Sequence, residues 1–98
     1  VVMGDFNTLP ASPAYELLQD TLRVHDPFPD LFGMSLDDVR ADYPTARFLR
    51  YRMRLDHIFA GPGLRWLDYE DTHPFGDNDG RWDGLSDHVP ILGRFRAR

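Results

Sequence analysis

The sequence predicts an α/β fold with a mostly antiparallel second half and a flanking helix. Three observations carry that expectation. Residues 1–7 are an apolar run ending in polar turn chemistry, which reads as a short buried strand entering a loop. Ala14, Leu17, Leu18 and Leu22 then recur at helical spacing. From Arg54 onward, short apolar runs are separated by Gly, Pro and Asp, the texture of strands and turns.

Each element has a local reason. The first strand starts at Val1 without any lead-in. Residues 8–13 are turn chemistry, with Ser12 placed to cap a helix and Pro13 at its first position, where a missing N–H costs nothing. That helix is expected to run to about Arg23. Residues 26–33 hold Pro27, Pro29 and Gly33 and read as a loop, and 35–42 read as one further short helix. Strands are expected over 55–60 and 64–69, and Gly61-Pro62-Gly63 between them marks a hairpin. Residues 72–86 form a polar loop, and the last strand spans 89–95. Val89, Ile91 and Phe95 share one face of it, with Pro90 at its start, where a lost donor is tolerated. There is no internal repeat or low-complexity linker. Three such strands alone would leave edges or a face uncovered.

At 98 residues the chain is one domain or part of one, and 42% apolar residues give it the composition of a globular protein rather than a disordered tail. There is no cysteine, which excludes disulfides, thiolate chemistry and zinc–sulfur sites. No apolar run approaches the roughly 20 residues of a transmembrane segment. Val1-Val2-Met3-Gly4 lacks the basic start of a signal peptide, and location in the cell stays open. Net charge is −5, which speaks against broad nucleic-acid binding. The acids are almost all Asp, whose oxygens suit hard cations such as Mg2+. The bases are all Arg, which suits bidentate contacts to phosphate.

Three short motifs hold the residues that could do chemistry. In Gly4-Asp5-Phe6-Asn7, extended geometry would point Asp5 and Asn7 the same way, with Phe6 buried behind. A carboxylate beside an amide can hold a water and a phosphate oxygen together. A strand ending in an Asx-type turn accounts for the same residues, and both readings stay open here. In Arg54-Leu55-Asp56-His57-Ile58-Phe59, Asp56 interrupts an apolar strand and needs a partner, either a nearby arginine (Arg52 or Arg54) or a His or metal. His57 points to the opposite face and reads as a half-buried structural residue. In Leu85-Ser86-Asp87-His88-Val89-Pro90, His88 requires an orienting carboxylate to act as acid or base. Asp87 is adjacent and diverges from it, so the expected partner is a distant Asp.

In order and spacing these motifs resemble the endonuclease/exonuclease/phosphatase superfamily, and the resemblance covers nearly the whole chain, most weakly over residues 23–50. It implies a four-layered α/β sandwich built of two similar halves, of which this chain would be the C-terminal one. It implies hydrolysis of a phosphodiester or phosphomonoester by an activated water, with Mg2+ or, in its place, Mn2+. Nucleic acid, phospholipid headgroup and inositol phosphate are all open as substrates. The implied roles are these. Asp5 would orient or deprotonate the attacking water, and Asn7 would hydrogen-bond the scissile phosphate. Asp87 would bind or help place the metal. His88 would contact the phosphate and share in proton transfer, with Asp56 fixing its tautomer.

The chain departs from the superfamily in one respect. Members carry an N-terminal half that supplies a metal-binding Glu, whereas here Glu16 and Glu70 lie in no matching motif. The N-terminal half is therefore expected to be absent, and the isolated chain to be inactive or nearly so. A non-catalytic interaction module on the same fold is the alternative, and retention of Asp5, Asn7, Asp56, Asp87 and His88 argues against it. Arg47, Arg50, Arg52 and Arg54 read as a solvated charged strand on the approach to Asp56. Asp77-Asn78-Asp79-Gly80 invites a calcium-loop reading that fails on register, since Phe75 stands where an acidic ligand is needed.

Overall fold

The computed structural model describes residues 1–35, 43–71 and 86–98. Among these residues, six strands and two helices follow one another as β1 (Val2–Asp5), α1 (Pro13–Leu22), α2 (Pro27–Phe32), β2 (Ala46–Phe48), β3 (Tyr51–Met53), β4 (Asp56–Phe59), β5 (Leu64–Asp71) and β6 (Ile91–Ala97). They form three antiparallel pairs, β1–β4, β2–β3 and β5–β6. The α/β class and the antiparallel bias expected from sequence are present. No helix among the described residues is long and apolar enough to cross a membrane. The expected polar loop over 72–86 and the expected helix over 35–42 lie almost wholly outside the described residues, as does Asp77-Asn78-Asp79-Gly80.

Local chemistry sets α1. Ser12 sits extended before it and accepts from the Tyr15 N–H, Pro13 opens the helix, and Arg23 closes it in the left-handed region. Tyr15 is the side chain that α1 buries; Leu17 and Leu22 of the apolar repeat lie exposed. Residues 26–33 are not the loop expected of them. Asp26 accepts from the Phe28 N–H, Pro27 takes the first position, and Gly33 ends α2 with φ 61°. This is the same cap-and-proline signal that starts α1, applied to a shorter segment.

The expected hairpin of residues 55–60 with 64–69 does not form. β4 pairs instead with β1, in the register Val2↔Phe59 to Asp5↔Asp56, and Ala60 bridges to His25. A tight turn at 61–63 redirects the chain without choosing its partner. β5 finds that partner in β6, where Trp66 lies against Phe95 with ring centroids 4.1 Å apart. Contrary to expectation, β1 is mostly exposed and Phe6 only half-buried.

The β5–β6 ladder shifts register between Trp66 and Asp68. Alternation with period two would send Trp66 and Tyr69 to opposite faces, and the extra residue at the bulge lets both be buried. They join Phe28, Ile58 and Ala60 in the core. Gly93 makes room for Trp66, because a Cβ there would stand 2.7 Å from the Trp66 ring. Gly93→Ala should therefore destabilise the protein by about 1–3 kcal/mol, the usual cost of overpacking. A chemical-denaturation midpoint unchanged from wild type would show that the indole moves aside freely.

Arg54, between β3 and β4, joins α1, α2 and β5 in one buried polar network. The Arg54 guanidinium, fully buried, donates to the Tyr69 hydroxyl at 2.9 Å, lies 3.7 Å from Asp26 Oδ2, and stacks 4.3 Å from the Phe28 ring centroid. The Tyr15 hydroxyl donates to the same Asp26 oxygen at 2.5 Å. Burial, then the Asp26 charge, push the Tyr15 hydroxyl far above its ordinary range, so it stays a donor. Arg54 is thus no part of a solvated charged strand. Arg47, Arg50 and Arg52 are exposed, whereas Arg54 holds the base of β4, two residues before Asp56.

Candidate active site

Asp5 ends β1 and Asp56 begins β4, and the ladder register sets them side by side. Gly4 precedes Asp5 with φ 148°, a conformation open to glycine and costly to other residues. The chain then turns. Asn7 adopts φ 49° and its N–H donates to Asp5 Oδ1 at 2.9 Å, so the Asx-turn reading describes this segment. Asp5 and Asn7 are both exposed.

His88 arrives from the last described segment, through an isolated bridge to Ala46. Its Nδ1 lies 2.6 Å from Asp56 Oδ2. Its Nε2 faces Asp5 Oδ2 at 3.7 Å and Asp87 Oδ1 at 3.8 Å. Asp56 pairs with this histidine, and the arginine partner left open by the sequence is not the one it takes. The partial burial of His88 works against a charged ring, but the Asp56 hydrogen bond and charge, followed by the Asp5 and Asp87 charges, outweigh it and raise the pKa above its ordinary value.

Asp5, Asp56, Asp87 and His88 therefore meet at one end of the β1–β4 pair. The Asn7 side chain has no partner among the described residues. One donor atom each from Asp5, Asp56 and His88 lies within 4.8 Å of the others, the kind of grouping that can hold a cation. Because Asp56 Oδ2 is already engaged by His88, the carboxylates left facing outward are Asp5 and Asp87, with side chains 41% and 72% exposed.

Sequence reasoning missed Thr45. Its hydroxyl donates to Asp56 Oδ2 at 2.7 Å and accepts from the backbone N–H groups of Leu55 and Asp56. Nothing local marked it, since its role depends on a partner 11 positions away. His57 was expected to be structural and half-buried. It is fully buried, its Nε2 lies 2.6 Å from the Thr8 carbonyl oxygen, and its ring packs edge-on to Tyr15. Burial pushes its pKa down, which keeps it neutral and outside the reacting group.

A model of the Endonuclease/Exonuclease/phosphatase family matches residues 1–88. The chain belongs to this family. Endonuclease/Exonuclease/phosphatase proteins are in general hydrolases of phosphate esters, and that is the activity class the match supports. The matched span includes Asp5, Asn7, Asp56, Asp87 and His88. Comparison with curated proteins and with solved structures gave no match.

Proposed function

We propose that this chain carries the proton-transfer and phosphate-facing part of a metal-dependent phosphoesterase, on one half of a four-layered α/β sandwich. The observation that supports it most is the convergence of Asp5, Asp56, Asp87 and His88 from three separate segments, with one imidazole nitrogen against a carboxylate and the other turned outward. His88 Nε2 is separated from Asp5 and Asp87 by spans longer than a hydrogen bond, the kind a shared water or phosphate oxygen bridges.

In this reading Asp5 orients the attacking water and accepts its proton as the new P–O bond forms. Asn7, whose side chain has no partner among the described residues, hydrogen-bonds the phosphate. His88, held by Asp56, contacts the phosphate through Nε2 and supplies a proton to the leaving oxygen as the old P–O bond breaks. Asp5 and Asp87 offer carboxylate oxygens without any sulfur donor, a set that fits a hard cation, Mg2+ or Mn2+. Such a cation, when bound, stabilises the charge that develops on the phosphate oxygens. Mg2+ is usually held by one or two carboxylates plus waters and substrate phosphates. The remaining ligands fall to those groups and to the preceding half of the domain that the family resemblance implies.

The isolated chain is accordingly expected to hydrolyse a generic phosphodiester such as bis(p-nitrophenyl) phosphate very slowly with Mg2+. Any turnover should fall to background in Asp5→Asn and His88→Ala. Mn2+ should selectively broaden the NMR signals of Asp5, Asp87 and His88. Fast Mg2+-dependent turnover by the 98-residue protein would overturn the dependence on further ligands. Broadening elsewhere, with Asp5 and Asp87 untouched, would overturn the cation assignment.

A further inference from the structure

Thr45 is fully buried, and each of its polar groups is used. Its backbone N–H donates to the Met53 carbonyl at 2.9 Å, which ties it to the end of β3. Its own carbonyl accepts from the Val89 N–H at 2.9 Å, one residue beyond His88. Its hydroxyl oxygen accepts from the N–H groups of Leu55 at 3.1 Å and Asp56 at 3.0 Å. With both lone pairs engaged, the hydroxyl hydrogen goes to Asp56 Oδ2 at 2.7 Å. That oxygen is the one facing His88 Nδ1.

We propose that Thr45 is the positioning residue of the His88–Asp56 pair. It grips the two members from different sides: the carboxylate through its hydroxyl, and the histidine segment through its carbonyl. A carboxylate otherwise rotates about its last bond and can offer either oxygen in several directions. The Thr45 hydroxyl fixes one oxygen in place, and His88 Nδ1 completes that oxygen's partners as a donor. The ring is thereby held with its hydrogen on Nδ1 and with Nε2 facing Asp5 and Asp87. The β-branched side chain restricts the hydroxyl to few rotamers, which a serine would do less well. The effect on turnover rests on the phosphoesterase reading; the effect on the imidazole does not.

The test compares Thr45→Val, which keeps the shape and loses the hydroxyl, with Thr45→Ser, which keeps the hydroxyl. Ring 15N shifts of His88, recorded at one pH high enough to leave the ring neutral, report which nitrogen carries the hydrogen. Wild type and Thr45→Ser should show the Nδ1–H tautomer, and Thr45→Val a mixture. In a form of the domain that turns over, Thr45→Val should lower kcat by about 10–100-fold with little change in KM, and Thr45→Ser should restore most of the loss. A wild-type tautomer in Thr45→Val would overturn the proposal. A tautomer change in a form of the domain completed by its preceding half that still cleaves no phosphate ester would keep the proposal and overturn the phosphoesterase reading instead. Thr45→Val strands two backbone donors and could fail to fold. In that event the exchange rate of the Thr45 hydroxyl hydrogen decides: slow in wild type and fast in Asp56→Asn supports the proposal, and fast in wild type overturns it.

Discussion

Asp56→Asn will lower the His88 pKa and, in any form of the domain that turns over, reduce kcat by about 10²–10⁴-fold, the usual share of acid–base catalysis. The cause is the 2.6 Å contact between Asp56 Oδ2 and His88 Nδ1. A neutral amide cannot stabilise an imidazolium as a carboxylate does, and its NH₂ can compete for the wrong ring nitrogen. Asp5 and Asp87 still face the ring and go on opposing the burial that favours its neutral form. Stability should follow with a definite sign. The folded pKa of His88 is raised above its ordinary value, so the pair's contribution is complete below that ordinary value. It is lost as pH rises through the raised folded value. Asp56→Asn should therefore lose more stability at pH 5 than at pH 9. An NMR titration of His88 alongside melting curves checks both. A His88 pKa unmoved by the substitution, with a pH-independent fall in melting temperature, would make Asp56 a structural residue and remove it from the site.

Arg54→Met will be the most destabilising single change outside the site, by about 3–5 kcal/mol, because it leaves the Asp26 carboxylate buried without its cation. Both side chains are 0% exposed, so no water takes the place of the lost partner. The Tyr15 hydroxyl and the Phe28 N–H continue to donate to Asp26, which keeps the loss at the level of one ion pair. Asp26→Asn should be costly too, and for the reciprocal reason. The double variant should be less destabilised than the sum of the two, since each single change strands the partner of the other. Urea denaturation of all four proteins measures this directly. Additive losses would mean that Arg54 is held by the Phe28 and Tyr69 rings and owes little to Asp26.

Features set by neighbours in sequence were legible. Ser12-Pro13 marked the start of α1, and Gly4-Asp5-Phe6-Asn7 marked a strand that ends at a polar turn. Diverging neighbours ruled out Asp87 as the orienting partner of His88 and pointed to a distant Asp. The structure places Asp56 there, 32 positions away. What was not legible depended on choices made across the fold. The 61–63 turn was visible, but β4 and β5 each had a competing partner in β1 and β6, and a turn cannot weigh them. The burial of Arg54 required Asp26 and Tyr69, from two other elements. The bulge beside Trp66 broke the alternation on which any reading of faces relied. In α2 the signal was present, since Asp26-Pro27 repeats the logic of Ser12-Pro13. Two prolines and a glycine within one short stretch outweighed it.

The β1–β4 ladder also dictates when the site can exist. β2 and β3 are joined by a two-residue turn, and such a hairpin closes within about 1–10 μs. Joining Val2 to Phe59 instead requires a long loop closure, whose entropy must be overcome before any of its contacts forms. Asp5 and Asp56 are the last rung of that ladder, and the Thr8–His57 contact beneath them spans 49 positions. The carboxylates therefore have no local predecessor in the unfolded chain. Asp56 holds His88 while Asp5 faces the ring's other nitrogen, so the site is assembled only once this long-range pairing is complete; in the reading proposed above, a cation taken up through Asp5 would draw the chain toward the closed ladder by mass action.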